Sequence, residues 1–265
     1  MPGPPFSYAR DTGLQYDRRM SSPATEAREA VERCYAVFAD YPLPKTLVAS
    51  PLRNPKEILE QLSATPLREL REDQLGPYAS WAMTTVGTSS DYRHFLPRIL
   101  ELSVFVVGWL GLEPEIIAGK LDYAAWRDWP SDERSCLRDV FRLSFGLAVE
   151  SHPEHGPSAE SWLCALLRLR EPLEAALECW RASRSAHAAL QIASFIIKEG
   201  KHLRRHGGVR GGFWNEIDQV PQQAIAHFLL SEDTRRFLET WAPKVPAEDR
   251  FYLVDAALAE LDRPS

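Results

Sequence analysis

The chain has 265 residues, 45% hydrophobic and 26% charged, which is enough apolar side chain for a sizeable core and too much for wholesale disorder. Its formal net charge of −6 disfavours non-specific coating of nucleic acid, which calls for a basic surface. The longest nearly uncharged apolar run, Leu102 to Leu112, falls short of the ~20 residues of a membrane span.

The opening Met1-Pro2-Gly3-Pro4-Pro5-Phe6-Ser7 lacks the basic-then-apolar order of a secretory leader, so the expected location is the cytoplasm. Residues 1–22 read as a mobile tail, with a short packed piece at Leu14 to Tyr16. Ser22-Pro23 is a helix start signal. Val31, Cys34, Tyr35 and Phe38 then fall on one face at helical spacing. Tyr41-Pro42-Leu43-Pro44 ends this helix and begins a proline-rich loop to Pro55. Asn54 and Glu57 form a capping-box pattern for the next helix, and Thr65-Pro66 starts a short one. Asp73 to Val86 reads as a helix that Gly76-Pro77 bends or splits.

Ser89 or Ser90 caps the longest expected helix, from about Asp91 to Leu110, kinked at Pro97. Helices follow at 113–124 and from Ser131 to about Glu150. The segment 151–157, with His152, Pro153, His155, Gly156 and Pro157, is the candidate linker between an N-terminal region, 23–150, and a C-terminal region, 158–265. The two regions are also compatible with one continuous domain. The second half predicts helices at 159–170, 172–182, 184–199, 219–230, 232–241 and 247–261, with Lys198 to Gly212 as a basic, glycine-rich loop. No run alternates with period two. The fold class is therefore all-α, with ten to twelve helices in an irregular or α-solenoid-like array.

Four groups of residues carry possible chemistry. Asp91, His94, Arg98 and Glu101 fall on one face of the long helix, which continues into the apolar Leu102, Phe105 and Trp109. They form either a catalytic groove, with His94 as acid/base, or a structural network pairing Asp91 with His94 and Arg98 with Glu101. Lys201, Arg204, Arg205 and Arg210, in the basic loop with Lys198, are candidates for anion or nucleic-acid binding, although no Gly-Lys-Ser/Thr signature is present. Most of the eight tryptophans are expected in the core. Trp126, Trp129 and Trp214 lie near turns and are candidates for exposed partner anchors. Glu57, Glu60, Glu69, Glu72 and Asp73 supply an acidic surface.

No metal site or cofactor is expected. His152 and His155 are too few ligands, no two of the four cysteines lie at the two-residue spacing of a zinc knuckle, and their scatter on apolar helix faces reads as buried thiols.

Asp91 to Leu102, with Pro66-Leu67-Arg68-Glu69-Leu70, Thr84 to Gly87, Tyr41 to Pro44 and Lys120 to Glu133, resembles a widespread group of uncharacterised bacterial proteins with no assigned activity. The likeness spans residues ~30–150 and implies a helical domain. Many members of that group carry a close cysteine pair where this chain has Ser50-Pro51-Leu52-Arg53, so the metal or redox role of such a pair does not carry over.

The leading expectation is a non-catalytic protein-binding module, such as an immunity protein that neutralises a basic, nuclease-like toxin domain. The alternatives are an enzyme built on the Asp91–Glu101 face and, more weakly, nucleic-acid or phosphate binding through the Lys198–Arg210 segment.

Overall fold

The computed structural model describes residues 22–106, 108, 110–154 and 158–263. Residues 1–21 of the expected tail, Trp109 and His155 lie outside them. Among the described residues twelve helices form and no strand, so the protein is all-α. They are α1 (Pro23–Val37), α2 (Pro55–Ser63), α3 (Glu72–Trp81), α4 (Ser89–Phe105), α5 (Pro114–Tyr123) and α6 (Ser131–Val149). Then come α7 (Ala159–Arg168), α8 (Leu173–Ala182), α9 (Ala186–His206), α10 (Gln219–Leu229) and α11 (Glu232–Trp241). The last, α12, runs without a break through Ala247–Asp249, a π-helical turn Arg250–Asp255, and Ala256–Leu261.

Several ends follow local chemistry. Ser22 caps α1, accepting from the Thr25 amide at 3.2 Å, and Pro23 occupies the first turn. Asn54 caps α2 and Ser231 caps α11 in the same way. The cap of α4 is Thr88, one residue before the expected serines: Thr88 Oγ1 accepts from the Asp91 amide while Asp91 Oδ2 accepts from the Thr88 amide.

Three expected helices have different lengths. The helix expected from Asp73 to Val86 stops at Trp81, because Met83 adopts a left-handed conformation and the chain folds back into isolated bridges at Val86. Pro77 sits inside α3 without splitting it. The long helix stops at Phe105, where Val106 turns extended.

The largest difference is in α9, which continues to His206 through the segment expected as a basic loop. Gly200 does not break it. A Cβ there would meet Glu260 Cγ at 2.9 Å, so the glycine serves the close approach of α12. The true stop is Gly207, left-handed at φ 67°.

A single apolar core runs from Ala27 to Ala257. Helices α1 and α6 pack against each other, and α7 packs on both α5 and α6. The segment 151–157 therefore joins helices that share one core. Trp162 and Trp180 are buried as expected. Trp126, Trp129 and Trp214, considered as exposed anchors, are also buried, at 0%, 5% and 5% exposure. Each fills space between helices, and Trp129 also donates its indole N–H to Ala124 O at 3.0 Å. Of the four cysteines, Cys34, Cys136 and Cys164 are buried while Cys179 is exposed, which corrects the expectation of four buried thiols.

Candidate protein-interaction surface

The loop between α1 and α2 has no helical period of its own, and its prolines deny it one. Its conformation comes from the turn that follows α3. Ser50 N donates to Thr85 O at 2.9 Å, Gly87 N donates to Val48 O at 2.7 Å, and Arg53 N closes back on Ser50 O at 3.0 Å. Leu47 is buried beneath the loop, and the Arg53 guanidinium stacks over Trp81 at 3.7 Å.

The opposing turn is itself fixed from below. The Lys120 ammonium, on α5, donates to Ala82 O at 2.9 Å and Thr84 Oγ1 at 3.0 Å. Burial pushes the pKa of that lysine down.

On this pinned backbone, apolar side chains face water. Val48 is 73% exposed and Leu52 is 92% exposed, and Leu43 is also exposed. Helix α2 starts three residues after Leu52 and presents Glu57 and Glu60, both exposed. Glu69 is exposed and Glu72 half-buried nearby in the chain. None of these four carboxylates belongs to an ion pair among the described residues. Asp73 differs: the Arg71 guanidinium at 2.8 Å holds its carboxyl below the usual range, so it is partly spent within the chain. Lys56 is the exposed cation beside these acids on α2.

The other expected sites are placed differently. Asp91, His94, Arg98 and Glu101 lie along α4 as the spacing predicts, but they serve separate structural tasks. Asp91 closes the capping box instead of pairing with His94. His94 Nδ1 lies 2.8 Å from Tyr41 O. Arg98 Nε donates to Leu70 O at 2.7 Å, and its Nη1 pairs with Glu101 at 2.7 Å. Glu101 also accepts from Tyr35 OH at 2.6 Å. The expected Arg98–Glu101 ion pair is thus present and the Asp91–His94 pair is not.

Arg93, absent from the sequence-based candidates, is the more interconnected residue. It donates to Tyr41 OH, lies 3.6 Å from Glu133 and stacks over Trp129 at 3.9 Å. Tyr41 in turn donates to Glu133 at 2.7 Å, and burial together with that carboxylate raises its pKa. No sequence signal joins Tyr41, Arg93 and Glu133, because three different elements bring them together.

The basic segment is helical. Lys198 pairs with Glu160 at 2.7 Å, and Arg204 pairs with Glu260 while also donating to Glu260 O at 2.7 Å. Arg210 lies beyond the helix, and its amide donates to Glu199 at 2.9 Å. Lys201 and Arg205 remain exposed, one turn apart, at the C-terminal end of α9, where positive charge suits the helix dipole. The anion-binding set is therefore divided between internal ion pairs and exposed positions.

Cavities among the described residues include two of note. One of about 780 Å³ lies between α1, α6 and α8, with Arg33, Asp139, Arg142, Glu150 and Cys179 among its walls. One of about 340 Å³ involves Trp180, His227 and Asp233. Neither is lined by Asp91, His94, Arg98 or Glu101. Among the described residues no group of three or more histidine, cysteine or acidic side chains could hold a metal ion, and no helix is long and apolar enough to cross a membrane. In comparisons with known proteins, the chain matches no family model, no curated protein and no solved structure.

Proposed function

We propose that this protein is a non-catalytic binding module that docks a basic partner domain on residues 42–53 and the adjoining acids of α2. The observation that carries this reading is the exposure of Val48 and Leu52, 73% and 92%, on a backbone pinned by the Ser50 and Gly87 hydrogen bonds. Apolar side chains held in water gain free energy when a partner covers them. Rigid presentation lowers the ordering cost of that step. Glu57, Glu60 and the net charge of −6 favour a cationic partner and steer its approach.

Nuclease-like toxin domains suit this description, since they bind anionic substrates through basic surfaces. An immunity role is therefore the specific form of the proposal. The protein would work by occupying the toxin surface, with no chemistry of its own.

The test is titration of the purified chain against co-encoded toxin domains, reading residual nuclease activity and binding together. The expected result is stoichiometric inhibition that weakens at least tenfold in Leu52→Asp and in the Glu57→Lys/Glu60→Lys double variant. Unchanged toxin activity at stoichiometric excess of the wild-type chain would sink the immunity reading. Inhibition that ignores these substitutions would place the binding surface elsewhere.

A further inference from the structure

Cys34 on α1 and Cys136 on α6 are 102 residues apart in the chain, yet their sulfurs lie 2.7 Å apart. That is within an ångström of the ~2.05 Å of a disulfide bond. Both side chains are buried, at 0% and 5% exposure. The Arg33–Asp139 ion pair at 3.5 Å ties the same two helices beside them. Val31 from α1 and Leu137 and Val140 from α6 are buried in the same core. The two sulfurs therefore stay together for as long as the helices remain packed.

We propose that Cys34 and Cys136 are a disulfide site, a covalent cross-link between α1 and α6 that closes in the presence of a low-molecular-weight disulfide. One cysteine thiolate attacks that oxidant, forming a mixed disulfide and releasing one small thiolate. The second cysteine thiolate attacks the protein sulfur of the mixed disulfide. The Sγ–Sγ bond forms and the second small thiolate leaves. The two cysteine protons end on the two released thiols, and the two electrons pass to the oxidant, which is reduced.

Location sets when this happens. The hydrogen bond to Cys136 and burial push the Cys34 thiol well up, so the packed protein holds little thiolate at neutral pH. Closure belongs to folding, before the helices seal, or to alkaline conditions. Cys164 lies on α7 and Cys179 on α8, and neither bonds to the pair among the described residues.

The full chain is unfolded, refolded with a mixture of reduced and oxidised glutathione, then denatured and alkylated. Intact mass and peptide mapping count the blocked thiols. Two of the four cysteines should remain reactive, with one linked peptide joining Cys34 to Cys136. The Cys164→Ser/Cys179→Ser variant should form the same link. The oxidised form should melt higher than its reduced counterpart, by on the order of 10 °C. If refolding yields too little protein, natively purified chain held with the same mixture in urea that opens the helices, then returned to native buffer, gives the same count. Four reactive thiols in folded protein, or a link through Cys164 or Cys179 with Cys34 and Cys136 free, overturns the proposal.

Discussion

The phenol of Tyr35 on α1 donates to the Glu101 carboxylate on α4 at 2.6 Å, and the same carboxylate oxygen is 2.7 Å from Arg98. Two helices are thereby joined, by side chains 66 residues apart in the chain, through one half-buried acid. Burial, the bond to Glu101 and that residue's negative charge all raise the tyrosine pKa, so the phenol stays a donor across the working pH range. Tyr35→Phe removes the donor and leaves Glu101 its Arg98 partner. The expected loss is about 1.5–3 kcal/mol, the scale of a hydrogen bond to a charged group, measured by urea unfolding.

Leu52 and Trp126 provide opposite controls. Leu52→Asp changes a side chain already in water, so stability should shift by no more than about 0.5 kcal/mol. Trp126→Ala empties a fully buried site and should cost about 3–5 kcal/mol. Thermal melts of the two variants distinguish a surface residue kept for binding from one kept for folding.

Lys120 supports the candidate surface from the other side of the turn. Lys120→Met leaves Ala82 O and Thr84 Oγ1 without this donor, which should cost about 1–3 kcal/mol. The same change loosens the turn that holds Ser50 and Gly87. Hydrogen exchange should show faster exchange at those two amides than in wild type. Unchanged protection would mean that the loop is fixed without the lysine.

Glu115 sits in the first turn of α5, 9% exposed, and burial raises its pKa above the ordinary 4.5. The folded state therefore holds this proton more tightly than the unfolded state. Stability contributed by the neutral carboxyl is fully present below the ordinary value and is lost as pH rises through the raised one. Glu115→Gln should stabilise the protein at neutral pH, and the gain should shrink as pH falls toward 4.5. Denaturation midpoints of the two proteins across this range should converge at the acidic end.

Arg204 and Arg205 are neighbours in sequence with different surroundings. Arg204 is 10% exposed against Glu260, which is 9% exposed, whereas Arg205 faces water. Arg204→Ala leaves a buried carboxylate with Arg263, at 2.5 Å, as its remaining ion-pair partner among the described residues, and should cost about 3 kcal/mol. Arg205→Ala should be nearly silent. Equal losses in a denaturation series would contradict the burial difference.

Local chemistry in the sequence determined much of this protein. Apolar periodicity with side-chain caps at Ser22, Asn54 and Ser231 defined helix type and several starts, because those interactions are complete within one turn. The Arg98–Glu101 pair was legible for the same reason, being three residues apart on one helix. Tertiary packing decided the rest. Gly200 reads as a breaker in isolation and becomes a packing position only when α12 lies against it. Trp126 and Trp129 border a turn, and only neighbouring helices show that they are enclosed. Tyr41, Arg93 and Glu133, like Cys34 and Cys136, meet across long stretches of chain. Val48 and Leu52 stand exposed on a loop whose shape is borrowed from the turn after α3. Periodicity reports which face of a helix is apolar, but exposure and pairing depend on what the other elements bring to that face.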